Sequence, residues 1–360
     1  MTAGQPTSSK FKICLALLGT LVVLCACGSL GPRTMDKDQL DYGRSIGDNW
    51  KNQLLANLVK IRFIDMPVFV DVGQIVSGYS LETQLSGTAG FGNTLGGGDS
   101  QVLGASGKYT DRPTITYTPK TGEAYLRSLL EPIEPTTILS LVLTGYNPEL
   151  LFTWAVESIN GVNNYSSRAQ GQHVANPEFY EFIGLLSELQ ENGAIGFEIN
   201  QDTETEREMV LFFDDRNINE VNLRKRERMR EILGANSSAR KFPIIYSPFA
   251  VDDKSLAMQT RSILQVMISM STFVDVPPDK ADRASGGFDR SSLSHQPFHV
   301  RTSKEKPEDV YASFHYQGDW YWIPHNDLET KRVFSLMLFL TTLTNRAGTE
   351  NAPVLTIPTQ

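Results

Sequence analysis

Three cysteines, Cys14, Cys25 and Cys27, are the residues of this 360-residue chain with the most distinctive chemistry. A thiol can be alkylated, can bind a metal ion or can form a disulfide. All three lie within the first 27 residues, and the rest of the sequence contains none. A domain folded from the rest of the chain therefore has no disulfide and no thiolate ligand, and its hydrophobic core must stabilise it.

The N-terminal segment has the layout of a secretory signal peptide. Lys10 and Lys12 precede an apolar run from Ile13 to Leu24. This run is shorter than the roughly 20 apolar residues that span a bilayer. It ends in Leu24-Cys25-Ala26-Cys27, which resembles the lipobox of bacterial lipoprotein precursors, where a Leu and a small residue precede an obligatory Cys.

The resemblance covers the leader alone, and it implies a membrane anchor. In such precursors the thiol of the Cys is alkylated by a diacylglycerol and the leader is cut before it. Residues 1–26 would then be the signal peptide, and Cys27 the lipid attachment site. Residues 27–35 would form a tether, since Gly31-Pro32 is typical of a short linker. The alternative is an ordinary signal peptide that is cleaved near Ala26.

The residue after Cys27 bears on localisation. Gly28 stands where an Asp usually signals retention in the inner membrane, so the resemblance favours the outer membrane and a domain facing the periplasm. The net charge of −8 disfavours binding to nucleic acid over a broad surface.

No motif for a cofactor, metal or catalytic site was identified. Gly104 to Tyr109 resembles the end of a phosphate-binding loop, but Val102 occupies the place of the first Gly and Tyr109 that of the magnesium-binding hydroxyl. The acidic pairs Asp214-Asp215 and Asp252-Asp253 lie at predicted element ends, where helix capping explains them. The histidines form no His-Glu-x-x-His motif, so we expect surface or core roles for His173, His295, His299, His315 and His325.

One dense basic run occurs in the sequence, from Arg224 to Arg230. Glu220, Glu227 and Glu231 lie three and four residues from its cations. This spacing places opposite charges side by side on a helix. We therefore expect a self-paired, solvated face, with a phosphate or glycan patch as the alternative.

The most unusual segment runs from Phe314 to Trp322 and predicts a β-hairpin that turns at Gln317-Gly318-Asp319. Because side chains alternate along a strand, Trp320 and Trp322 should share one face and Tyr321 the other. One face can fill a core, whereas the other must be covered or left as a contact surface. Trp320, Tyr321 and Trp322 are therefore the candidate protein-contact residues.

Periodicity predicts a mixture of helices and short strands. The first predicted helix has an apolar stripe of Trp50, Leu54, Leu58 and Ile61, and three more helices are predicted within Thr121–Asn160. Helices are also predicted over Pro177–Glu191, over a charged segment that ends at Leu233, and over Asp253–Phe273. Predicted strands are Val68–Val72, Tyr79–Leu85, Thr114–Tyr117, Ile195–Ile199, Met209–Phe213 and Phe242–Tyr246. The glycine-rich segment Gly87–Gly107 predicts a mobile loop, and Pro278–Gln296 a poorly ordered one.

Together these patterns predict an α+β protein of two lobes, residues 36–165 and 176–360, with a polar boundary between them. The leading hypothesis is a lipid-anchored, non-catalytic module that recruits or scaffolds an envelope protein partner. The alternatives are an enzyme acting on cell-wall or glycan material and a binding protein for small ligands. No cofactor and no metal are predicted.

The lipid assignment predicts the outcome of two cysteine substitutions. Cys27→Ser should abolish incorporation of a labelled fatty acid, because only a thiol can form the thioether. Cys14→Ser should leave the label unchanged, because this residue lies in the discarded leader. Label that persists in the Cys27 variant would contradict the lipobox interpretation.

Overall fold

A computed structural model of the chain describes residues 31–344, apart from residues 77–78, 91–99, 112–113, 120–122, 169–170, 174, 202–206, 217–218 and 287–297. The internal contacts divide the chain into two units, residues 1–50 and 51–360. The described part of the first unit is helical, and the second combines helices with sheets. The predicted α+β class is confirmed. No helix among the described residues is both long and apolar enough to cross a membrane.

The helices are α1 (Gly31–Arg62), α2 (Glu123–Leu130), α3 (Pro135–Leu143), α4 (Pro148–Ala155), α5 (Pro177–Glu191), α6 (Glu220–Leu233), α7 (Ile263–Ser271) and α8 (Leu328–Thr344). The strands are β1 (Val70–Val76), β2 (Tyr79–Gly90), β3 (Ser100–Asp111), β4 (Thr114–Pro119), β5 (Val156–Ile159), β6 (Val162–Asn163), β7 (Ser166–Arg168), β8 (Gly171–His173), β9 (Ile195–Gln201), β10 (Arg207–Phe213), β11 (Lys241–Ile245), β12 (Leu256–Thr260), β13 (Arg301–Ser303), β14 (Val310–Tyr316) and β15 (Asp319–Pro324).

Helix α1 begins inside the predicted tether. Residues 31–35, which belong to the predicted tether 27–35, are helical, and Pro32 lies in the first turn, where its missing N–H costs nothing. Farther along α1, Leu54 and Leu58 are buried as predicted. Trp50 is 44% exposed, so the buried stripe starts one turn later.

The described parts of the glycine-rich segment belong to a long pair of antiparallel strands. Strands β2 and β3 pair antiparallel from Tyr79 opposite Asp111 to Gly90 opposite Ser100. The predicted loop over Gly87–Gly107 is therefore wrong where it overlaps these strands; residues 91–99 lie outside the described part. Pairing uses the backbone N–H and C=O groups that every glycine retains, so glycine alone does not exclude a strand.

A mixed six-stranded sheet in the order β6-β5-β12-β11-β10-β9 lies at the centre of the second unit. Only β11 and β12 pair in parallel, and the other neighbours are antiparallel. Strands β5 and β6 precede the predicted lobe boundary at residues 166–175, and the other four follow it. Segments 36–165 and 176–360, which were predicted as two lobes, therefore both contribute strands to this sheet.

The helix predicted over Asp253–Phe273 is a strand followed by a shorter helix, β12 and α7. The Asp252 carboxylate accepts hydrogen bonds from the backbone N–H groups of Lys254 and Ser255 at 2.9 and 2.7 Å, which forms a turn before β12. Ser262 and Gln265 then form a reciprocal capping box that starts α7. These contacts mark the two ends of β12, and its pairing with β5 and β11 selects a strand over the helix that the apolar periodicity predicts.

The helix predicted to reach Asn160 ends at Ala155, since Val156–Ile159 forms the strand β5. Its start is as predicted. Asn147 is the N-cap, and its side-chain oxygen accepts a hydrogen bond from the backbone N–H of Leu150 at 3.0 Å. The predicted three helices of this region are confirmed with that shorter end.

Arg261 lies between β12 and α7 and joins several segments in the core. Its Nε lies 2.8 Å from Oε2 of Glu157 on β5, and the two side chains are only 1% and 8% exposed. Its guanidinium also donates to the carbonyl oxygens of Thr153, Trp154 and Tyr165. The Arg261 backbone N–H donates to the carbonyl of Ala155 at 2.8 Å, and its own carbonyl accepts from Ile133 at 3.0 Å.

Loss of the Arg261 side chain should destabilise the fold strongly. Arg261→Met leaves the buried Glu157 carboxylate without its cation, which typically costs about 3–5 kcal/mol in the free energy of unfolding. Arg228→Met, which breaks a half-exposed pair with Glu181, is the control and should have a much smaller effect, because solvent screens that pair. Urea unfolding of both variants measures this difference, and equal effects would contradict the role assigned to Arg261.

Candidate functional site

The predicted aromatic hairpin is formed by β14 and β15. The connecting residues Gln317 and Gly318 both have positive φ angles, 50° and 85°. Such angles belong to the tight turn whose twist matches that of paired strands. Asp319, which was predicted as part of the turn, is instead the first residue of β15, opposite Tyr316. Strand β13 pairs with the other edge of β15 and completes a three-stranded sheet.

Tyr321 lies on the inner face of this sheet and is fully buried. Its ring is edge-on to Phe63, with 6.0 Å between the ring centroids. Burial, with a smaller contribution from the negative charge of Asp319, raises the pKa of Tyr321 to about 12. Of the three candidate contact residues, Tyr321 is therefore a core residue in this fold. Its replacement would test folding and not contact.

Trp320 and Trp322 lie together on the opposite, outer face of the sheet, and both are half-buried. The strand register places Arg301 and Ser313 beside Trp322, and Ser303 and His315 beside Trp320. We call this surface the outer Trp face. It comprises Arg301, Ser303, Ser313, His315, Trp320 and Trp322, none of which is acidic.

Cationic side chains lie over both indole rings. The Arg301 guanidinium lies 5.5 Å from the ring centre of Trp322, and the Lys306 ammonium lies 5.6 Å from that of Trp320. The His315 ring lies 5.0 Å from Trp320, and the Trp322 indole N–H donates to Oγ of Ser303 at 3.1 Å. These contacts hold both rings in defined positions and place positive charge beside them.

A buried ion cluster fixes the hairpin at the base of this surface. The Asp319 carboxylate is 2% exposed, and it accepts hydrogen bonds from Lys280, which is also buried, and from Lys304 at 2.8 Å. Lys280 also donates to the carbonyl of Gln317 in the turn. Burial by itself raises the pKa of Asp319, but the hydrogen bonds and charges of Lys280 and Lys304 outweigh it and hold the pKa below its usual value.

Lys280 comes from a segment that was predicted to be poorly ordered. Residues Pro278–Arg283 form a short 3₁₀ helix, so the prediction for Pro278–Gln296 is wrong for this part; residues 287–297 lie outside the described part. The sequence gives no signal for the contact, because Lys280 and Asp319 are 39 residues apart. Arg301 and Lys306 were likewise not among the candidates, because the strand register brings Arg301 to Trp322 and the segment between β13 and β14 brings Lys306 to Trp320.

The described histidine side chains have structural partners. His299 Nε2 lies 2.8 Å from Oδ2 of Asp275, and His325 Nε2 lies 3.7 Å from Oδ1 of Asp309. The side chains of His173 and His295 lie outside the described part of the chain. Within that part, no group of three or more His, Cys, Asp or Glu residues is arranged to hold a metal ion.

The basic run on α6 is paired with acidic side chains, as the spacing predicts in part. Arg224 lies 3.9 Å from Glu220 on the same helix, whereas Arg228 pairs with Glu231 and also reaches Glu181 on α5. Further contacts of the run join Lys225 to Glu188, Arg226 to Asp215, and Arg230 to the carbonyl of Ala239. Several partners thus come from other elements, which the i,i+4 rule alone does not reveal.

The acidic pairs also serve local structure. Arg216 donates to Asp214, and these hydrogen bonds lower the pKa of that carboxyl group. Asp215 contacts Arg226 and Arg240.

Comparison with protein-family models, curated proteins and solved structures finds no match in any of the three. The chemistry of the chain must therefore be argued from its own residues.

The Asp319 cluster predicts a pH-dependent contribution to stability. Because the pKa of Asp319 is depressed in the folded state, its stabilisation is present above the unfolded value of about 3.9 and is lost as the pH falls through the folded value. Urea unfolding should therefore give an Asp319→Asn deficit that is large at pH 7 and shrinks below about pH 4. The exposed control Asp282→Asn should show little deficit at either pH, and a constant deficit for Asp319→Asn would contradict the assignment.

Proposed function

We propose that the protein is a lipoprotein, anchored through Cys27 in the outer membrane and facing the periplasm, that recruits an envelope protein through the outer Trp face. The observation that supports this function is the acid-free surface on which Trp320 and Trp322 lie beside Arg301. The enzyme and small-ligand alternatives gain no comparable support, because the described acidic pairs and histidines are engaged in ion pairs, turns and ring contacts.

The residue types of the outer Trp face suit a protein contact. Trp and Arg are among the side chains most enriched among residues that dominate binding energy. Trp buries a large area with only two rotatable bonds, and Arg presents a planar fork of hydrogen-bond donors. Here the rings are already held by Arg301, Lys306 and Ser303, so little conformational entropy remains to be lost on binding. The two indoles therefore provide a rigid apolar centre with a polar rim.

The charge of this surface indicates the chemistry of the partner. The whole chain carries 41 acidic and 33 basic residues, yet the six positions of the outer Trp face contain no carboxylate. Arg301 is exposed and presents a fork of N–H donors that suits a carboxylate. The proposed partner is therefore an envelope protein with an acidic rim around an apolar patch.

Site-specific photocrosslinking in cells tests the proposal. A photoreactive amino acid at the exposed position of His315 should give a discrete adduct with one envelope protein. The same amino acid at Phe249, which is exposed and lies outside this surface, should not give that adduct. Either Trp322→Ala or Arg301→Ala should reduce the adduct at least tenfold, as expected for hot-spot residues.

The lipid anchor is tested in the same cells. Cys27→Ser should reduce the adduct at position 315, because an unanchored chain is no longer held beside its partner. A melting temperature near that of the parent must accompany each variant, and Arg301→Ala is the milder variant because its side chain is exposed. Identical adducts at positions 315 and 249, or none at 315, would contradict recruitment through this surface.

A further inference from the structure

Helix α8 has one buried face and one exposed stripe. Val333, Phe334, Leu336, Met337 and Leu340 are buried in the core. The exposed stripe contains Leu328, Arg332, Ser335, Phe339 and Leu343, at spacings of three and four residues, and its three apolar members are 62%, 38% and 41% exposed. A helix that needed only to pack on its own core would carry polar residues at these positions.

The exposed stripe borders an open groove with a volume of about 560 Å³. One wall is formed by Leu328, Arg332 and Ser335 of α8, and the other by the segment from Thr144 to Asn147 with Leu150. Tyr146 stacks on Phe339 with 5.7 Å between ring centroids, which extends the apolar wall along the helix. The groove is wide enough to receive large side chains from another molecule.

The stripe has an apolar residue at each end, a small residue near its centre, and a cation and an aromatic ring each four residues from one end. When α8 is placed antiparallel to a second α8 about a two-fold axis near Ser335, Leu328 meets Leu343 of the second copy. Arg332 then meets Phe339 of the second copy, and the two Ser335 residues lie beside the axis. The stripe is therefore complementary to itself, as an isologous interface requires.

We propose that the protein forms a two-fold symmetric dimer in which the α8 helices of two copies pair antiparallel through this stripe. Each contact in the arrangement has a physical basis. Leu328 and Leu343 bury apolar surface at both ends, and each Arg332 lies over a Phe339 ring, which attracts cations. Ser335 at the centre is small and allows the helices to approach closely.

The size of the contact sets the expected affinity. The stripe from Leu328 to Leu343 is about 22 Å long at 1.5 Å per residue. A helix pair of this length lies near the lower end of the interface areas found in specific complexes. We therefore expect a reversible dimer with a dissociation constant in the micromolar range.

Sedimentation equilibrium of the full chain in non-ionic detergent tests the dimer. Cys14, Cys25 and Cys27 are replaced by Ser so that no thiol or lipid interferes. Phe339→Glu should weaken association at least tenfold, because it removes the cation–π contact and places a charge in the interface. Leu343→Lys should weaken association to a similar degree. Because Leu343 lies at the end of α8 and is 41% exposed, this substitution should leave the core intact. Phe249→Glu, at an exposed Phe elsewhere, should have no effect.

Crosslinking tests the antiparallel register. In the cysteine-free chain, a mixture of Leu328→Cys and Leu343→Cys molecules should crosslink efficiently with a short bismaleimide, whereas neither variant should crosslink with itself. A monomer at all concentrations up to about 0.5 mM, well above the expected dissociation constant, would overturn the proposal. So would a dimer insensitive to both charge substitutions, or self-crosslinking of Leu343→Cys in preference to the mixed pair.

Discussion

The buried contact between Arg261 and Glu157 is the constraint on which the central fold depends. It ties the start of α7 to β5, and the other guanidinium nitrogens satisfy carbonyl oxygens at the end of α4 and at Tyr165. A guanidinium in the core is tolerable only when its donors are all used, since an unpaired buried charge is costly. The backbone at Arg261 therefore has little freedom, and β12 is held between β5 and β11.

The outer Trp face depends on a second buried cluster of the same kind. Asp319 gathers Lys280 and Lys304 at the beginning of β15, directly before Trp320. The alternation of the strand then directs Tyr321 inward to Phe63 and both tryptophans outward. In both clusters a buried charged residue fixes the backbone of a strand. The positions of the neighbouring residues along that strand then determine to which face of the sheet their side chains point.

The sequence predicted those parts of the structure that have local causes. Asn147 and Pro148 define the start of α4, the alternation of Trp320 and Trp322 gives the faces of β15, and Gln317-Gly318 marks the turn. It did not predict β12, because the apolar residues of Asp253–Phe273 also fit a helix and only pairing with β5 and β11 decides between the two. The cations of the outer Trp face were missed for a related reason: Arg301 reaches Trp322 through a strand register that no local pattern encodes.

The span of the Arg261 contact has a consequence for how the chain reaches its folded state. Glu157 and Arg261 are separated by 104 residues, so the contact closes a long loop and must wait until β12 is available. Long-range closure of this kind costs chain entropy before it yields contacts, and it slows folding. A chain that is threaded through a membrane N-terminus first would remain without its central ion pair until well over half of it had emerged. For the proposed lipoprotein, such a delay would keep the polypeptide extended during translocation, and the fold would be completed only on the far side of the membrane.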